Sequence, residues 1–268
     1  MSSASFDTAA EILAGLRIAS ETGRVLDDLP TACRPSDLMD AYEIQRRVRP
    51  LLTDTGFGPQ IGWKIGCTTP VMQDYLKIPH PCAGTLYRDT VVPEHALLEA
   101  HRFRKLGLEC EIAVVLRESL PERHGLIGRD DVAGAVDSVM ASIEIVEHRF
   151  TDFRMTSVAS LIADDFFSWG CVLGKPVPVD QIDDLAELTG GFSVNGADPF
   201  ETGSGGAILG HPLTALAWLA DHAARLGTPL ERGDIITLGS VVKTVYPVAG
   251  EVIIAQFEGL PTATVTVT

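Results

Sequence analysis

Apolar and polar positions along the chain fall into two regimes. Residues 8–20 and 37–52 carry helical spacing, and in the second Leu38, Tyr42, Val48 and Leu52 recur on one face. Asp7 and Ser36 are the expected N-caps. The Gly-Phe-Gly-Pro stretch at 56–59 ends this region. From Gly62 onward, short apolar runs sit between glycines and prolines: 61–66, 108–116, 142–150, 169–174, 191–196, 234–240 and 251–259. Runs of this length bounded by turn residues predict strands. Two helices are expected among them, one near 131–139 after Asp130-Asp131, the other over 213–226 between Pro212 and Gly227. The pattern predicts a β-rich α+β fold, with an N-terminal helical region over 1–58 and a β-rich part over 59–268, joined as one compact unit. Neither regular βαβα alternation nor a Gly-x-Gly-x-x-Gly fingerprint occurs, which argues against a Rossmann fold.

Two of these runs carry charge where a strand should be apolar. Alternation in 108–116 puts Glu109, Glu111, Ala113 and Val115 on one face. Glu144 lies between Ile143 and Ile145 in a second run. Acids usually lie outside, so exposed strand ends are the plain alternative for the first pair. An acid inside an apolar run, however, needs a partner. Three carboxylates without histidine or cysteine suit a hard divalent cation, Mg²⁺ or Mn²⁺, rather than zinc. Lys64 sits in Gly62-Trp63-Lys64-Ile65-Gly66, its flanking glycines on its own face. Glycine weakens a strand, so the spacing suggests room for a ligand near the ammonium, or else a bulge at a sheet edge.

Composition narrows the setting. With 46% hydrophobic residues in 268, the chain can bury one substantial core. The net charge of −15 repels nucleic acid and anionic membranes. It also makes a small anionic substrate awkward unless a cation inverts the local field. Five cysteines without a Cys-x-x-Cys pair fit a reducing compartment. With neither a signal-peptide pattern nor a membrane-length apolar run, the expected location is the cytoplasm.

The segments 62–73, 106–116, 142–150, 162–174, 210–220 and 233–240 resemble, in order, those of 2-keto-4-pentenoate hydratases of the fumarylacetoacetate hydrolase superfamily. The resemblance spans roughly residues 40–265. It implies a fumarylacetoacetate hydrolase C-terminal-like fold with a rolled or barrel-like mixed sheet, and a homo-oligomer. It places a metal set on Glu109, Glu111 and Glu144, an active-site lysine on Lys64, an acid on Asp164 and a serine on Ser240. Asp165 stands for the usual Asn. Two stretches depart from the pattern. His80-Pro81-Cys82-Ala83-Gly84 carries Cys82 where an acid is usual, with His80 a candidate replacement against its reading as an exposed loop residue. Residues 163–169 carry Phe166, Phe167 and Trp169 in place of small residues.

The implied reaction is metal-dependent hydration of a 2-hydroxy-2,4-dienoate, or 2-keto-4-enoate, in the breakdown of aromatic or related compounds. Lys64 would neutralise the carboxylate or relay a proton. Asp164 would orient it or act as base, and Ser240 would bond the carboxylate or the water. Their plain alternatives are a turn cap for Asp164 and a strand end for Ser240. The competing reactions are decarboxylation of a 2-keto-3-enedioate and C–C hydrolysis of an acylpyruvate or fumarylpyruvate. The competing class is a non-catalytic metal or keto-acid binding protein.

Overall fold

A computed structural model describes residues 1–19, 25–120, 127–199 and 201–268. Helices α1 (Ser3–Ile18) and α2 (Leu38–Leu52) pack on each other at the N-terminus. The first helix begins earlier than the spacing predicts: Ser2, not Asp7, is its cap, and Asp7 instead pairs with Arg47 of α2 at 2.6 Å. The expected end at residue 20 lies outside the described residues. Asp37 caps α2, accepting from the Asp40 N–H at 2.8 Å, while the Ser36 backbone donates back to Asp40 at 3.0 Å. The cap therefore sits one residue after Ser36.

The remainder runs β1 (Gln60–Gly66), α3 (Pro70–Leu76), β2 (Cys82–Tyr87), β3 (Val91–Pro93), β4 (His95–Leu98), β5 (Leu106–Leu116), α4 (Arg129–Ala133) and β6 (Val136–Glu147). It continues with α5 (Val158–Ala163), β7 (Ser168–Leu173), β8 (Val177–Pro178), β9 (Thr189–Val194), β10 (Thr202–Ser204), α6 (Pro212–Arg225), β11 (Ile235–Ser240), β12 (Val252–Phe257) and β13 (Leu260–Val267). Only one short helix, α4, forms where 131–139 reads as helical. Residues from Val136 onward join β6, because Val136 pairs with Leu116, and Ser138 and Val139 pair with β8. Cross-strand pairing outweighs local propensity there.

One mixed sheet runs β2-β1-β11-β5-β6-β7-β3, with β8 beside β6. The other runs β10-β9-β12-β13-β4 and packs on it through β6 and β7. The first sheet is strongly rolled, bringing β2 close to β7, yet it is an open path rather than a closed barrel. Rolling buries both faces of the central strands. All twelve residues of β6 but Asp137 are buried, which is why its sequence reads as a near-continuous apolar run. The outer face joins the main core, which also takes in Leu13 and Leu16 of α1 and Ile44 and Val48 of α2. The inner face holds a small cluster of Leu86, Ala113, Met140, Cys171 and Leu173. Beyond that plug, the same face carries the carboxylates.

Candidate metal centre and its cavity

The pairing of β5 with β6 sets Glu109 directly opposite Glu144, and Glu111 lies two residues along β5 from Glu109. The period-2 pleat puts Glu109 and Glu111 on one face, as the alternation predicts. One oxygen of each of the three carboxylates lies within 4.8 Å of the others. Parallel pairing of β1 with β11 brings Lys64 across from Thr237, and its Nζ reaches Glu144 Oε1 at 3.0 Å. Lys64, Glu111 and Glu144 are each at most 1% exposed. Like charges facing each other in a sheet repel, and burial raises the cost.

The protonation equilibria report that cost. Burial, then the charge of Glu144 and Glu109, pushes Glu111 well above the usual carboxylate range. Burial pushes Glu144 up to about 7, against the pull of Lys64 and with Glu109 adding to the rise. Burial works against the Lys64 ammonium, but Glu144, Glu109 and Glu111 together hold its proton more tightly than usual. With all three carboxylates ionised against one ammonium the site would carry two negative charges, the deficit a divalent cation would fill. Three carboxylate oxygens converging within 4.8 Å could hold one divalent cation after small side-chain adjustments. The donors are all hard oxygens, as Mg²⁺ or Mn²⁺ prefers.

Neighbours hold the carboxylates in place. Thr244 Oγ1 donates to Glu109 Oε1 at 2.6 Å, and the Gly239 N–H donates to Glu111 Oε2 at 3.2 Å. A Cβ on Gly66 would meet Lys64 Nζ at 3.2 Å, so that glycine does leave room at the ammonium. Gly62 has a different reason: a Cβ there would lie 1.9 Å from the Ile235 carbonyl oxygen of β11. The strands approach too closely for any side chain.

The cluster opens into a cavity of about 580 Å³, lined at that end by Lys64, Glu109, Glu111 and Ser240. Ser240 Oγ lies 2.8 Å from the Val242 carbonyl and 3.1 Å from that of Cys110. Asp164 does not line the cavity. It is fully buried between Arg149 Nε at 2.6 Å and Arg17 Nε at 3.2 Å. His80 does not line it either; its ring faces Trp218 at 6.2 Å.

The match to the family described as fumarylacetoacetate (FAA) hydrolase C-terminal covers residues 73–268. The chain belongs to the fumarylacetoacetate hydrolase family. It is 33% identical over 261 residues to the 2-keto-4-pentenoate hydratase of Burkholderia vietnamiensis, covering 97% of each chain. It is 29% identical over 242 residues to a 4-oxalocrotonate decarboxylase of Pseudomonas putida, covering 90% of this chain and 88% of that one. Its fold overlays the 4-oxalocrotonate decarboxylase of Pseudomonas putida G7 with a TM-score of 0.91 at 23% identity, covering 100% of this chain and 99% of that one. That structure was complexed with magnesium and adipate.

Both departures from the usual hydratase pattern have a structural location in this family member. Cys82 is fully buried and its thiol lies against Cys67, which lines the cavity. The second departure supplies part of the cavity wall, through Phe166 and Phe167. Asp165, Phe166 and Phe167 take positive φ in succession, at 50°, 49° and 70°. Left-handed backbone costs a non-glycine residue roughly 1 kcal/mol each. Buried contacts offset it: Arg17 Nη1 reaches Asp165 Oδ2 at 2.7 Å, and the Thr85 N–H donates to Asp165 Oδ1 at 2.9 Å. The turn delivers both phenyl rings to the cavity. Phe166 lies under Lys64, its ring centroid 5.6 Å from Nζ, and Phe167 stacks on His148 at 5.0 Å. Burial, with Lys105 and Arg149 nearby, lowers the His148 pKa to about 4 and keeps the ring neutral at pH 7. Thr244, Phe153 and Tyr246 escape the motif reading, because no spacing links them to the glutamates.

Proposed function

We propose that this chain is a hydratase that uses a divalent metal, Mg²⁺ or Mn²⁺, to add water to a 2-hydroxy-2,4-dienoate. The observation that carries this reading is the Glu109–Glu111–Glu144 set beside Lys64, with Lys64, Glu109 and Glu111 lining one end of the cavity. The substrate is a small anionic keto acid in its enol form. Its carboxylate and C2 oxygen make a pair of hard donors that suits a cation held by three glutamates. The bound cation supplies Lewis-acid polarisation of the C2 oxygen and the positive field that a chain of net charge −15 otherwise lacks.

The chain's own groups do the rest. Lys64 balances the substrate carboxylate and holds a proton for transfer, its ammonium kept charged by the glutamates. Protonation at C5 of the dienol gives the conjugated 2-oxo-3-enoate. Water then adds its oxygen at C4 and a proton at C3. Ser240, at the cavity wall, orients the carboxylate or the incoming water. Asp164 orients rather than touches the substrate: through Arg149 and Arg17 it anchors the turn that carries Phe166. The surroundings of His80 support no proton-handling part. The similarity to 2-keto-4-pentenoate hydratases over almost the whole chain supports hydration over decarboxylation.

The test is incubation with Mg²⁺ and 2-hydroxypenta-2,4-dienoate, following loss of dienol absorbance and the product formed. Loss that requires both Mg²⁺ and Glu109, giving a 4-hydroxy-2-oxo acid, supports the reading. Release of CO₂ from a 2-keto-3-enedioate, without turnover of the dienoate, replaces it with a decarboxylase.

A further inference from the structure

The wall that leads away from the carboxylates is aromatic and apolar. Phe166 packs on Phe167 at 5.2 Å, Phe167 on Phe153 at 5.7 Å, and His148 on Tyr246 at 5.8 Å, with Met72 also lining the space. These rings form a continuous path from Lys64 outward. The charged lining residues beyond the metal end are Glu201 and Lys243, 3.8 Å from each other, and the Lys243 side chain is 88% exposed. Lys105 sits over the outer face of Tyr246 and is exposed as well. Among the described lining residues, Lys64 is thus the one buried cation, and it lies at the carboxylate end, paired with Glu144. A second carboxylate on the substrate would enter this path without a buried partner, which is costly.

The cavity is also larger than the shortest dienoic acid requires, and falls in the range that holds ligands with substantial apolar bodies. We propose that the preferred substrate carries a bulky apolar tail, aryl or branched alkyl, at the end remote from its carboxylate, and that Phe167 and Phe153 select for it. This rests on the reading of the site as a keto-acid site. The strained Asp165–Phe167 turn acquires a purpose on this account: it presents Phe167 as the flat surface on which the tail lies. Aromatic faces favour offset or edge-on partners at such separations, so an aryl tail gains beyond area alone.

Calorimetry on the Mg²⁺-loaded protein separates the possibilities without relying on turnover. The probes are 2-oxopentanoate, 2-oxo-6-phenylhexanoate and 2-oxohexanedioate. The expected order has the phenyl acid tightest, by about ten-fold or more over 2-oxopentanoate, and the diacid weakest. Phe167→Ala and Phe153→Ala each erode that preference, while Phe167→Leu retains most of it. A Mg²⁺ titration of each variant checks that the carboxylate end is intact. Equal binding of the short and phenyl acids, or tighter binding of the diacid, overturns the proposal and leaves the keto-acid site standing. Failure of every 2-oxo acid to bind, in protein that takes up Mg²⁺, overturns both.

Discussion

Glu109 and Glu144 face each other across two paired strands, with Glu111 beside them, an arrangement whose repulsion a bound cation would relieve. Their repulsion makes a prediction at the scale of single residues. Glu144→Gln removes one buried negative charge, so the metal-free protein gains stability or loses little. Mg²⁺ is expected to raise the Tm of the wild type by several degrees, and the same change is expected to abolish that rise. Thermal unfolding with and without a chelator reads both effects.

The raised Glu144 carboxyl also sets a pH dependence. Its folded pKa of about 7 exceeds the ordinary 4.5, so the folded state binds more protons between those values. Stability of the metal-free protein is therefore full below about pH 4.5, as far as this group is concerned, and falls as pH rises through 7. The loss is on the order of 3 kcal/mol at most. Mg²⁺ affinity moves the other way, rising over the same window because the ligands must lose their protons. Urea unfolding at pH 5 and pH 8, with and without Mg²⁺, checks the two opposite slopes.

At the scale of elements, β1 is held so close to β11 that its side chain at position 62 is forbidden. Gly62→Ala is expected to destabilise by about 3 kcal/mol, since the clash is with backbone and neither strand can move alone. Asp37→Ala removes the N-cap of α2 and costs about 1 kcal/mol. Denaturant midpoints rank the two. The comparison also marks what local sequence conveys. A capping residue one position from Ser36 is within the reach of local rules. The reason for Gly62 is not, because it depends on Ile235, far away in the chain. Likewise the 131–139 segment carries helix-compatible residues, and only its pairing with β5 and β8 makes most of it a strand.

At the scale of the molecule, a buried network joins α1 to the turn beside the site. Arg104 pairs with Glu147 at 2.9 Å, Arg149 with Glu147 at 3.6 Å and with Asp164 at 2.6 Å, and Arg17 of α1 reaches both Asp164 and Asp165. Removing one member leaves an uncompensated buried charge. Arg149→Leu is expected to cost about 3–5 kcal/mol by urea unfolding, and to lower turnover by loosening the Phe166–Phe167 turn. Because α1 and α2 share the main core with the sheets, a fragment of residues 59–268 is expected not to unfold cooperatively in a thermal scan.

What the sequence determined by itself is whatever a short period or a local chemical contradiction can carry. The strand runs, the helix over Pro212–Arg225, the shared face of Glu109 and Glu111, and the anomaly of Glu144 between two isoleucines are all of this kind. Only the tertiary structure decided that Glu144 faces Glu109, that Lys64 closes the set from β1, and that Asp164 serves an ion network away from the cavity. It also decided that His148, Phe153, Phe167 and Tyr246, scattered over nearly a hundred residues, form one wall. Periodicity says which way a side chain points along its own strand. Which partner it meets there depends on strand order and register, and these are settled by the packing of the whole chain.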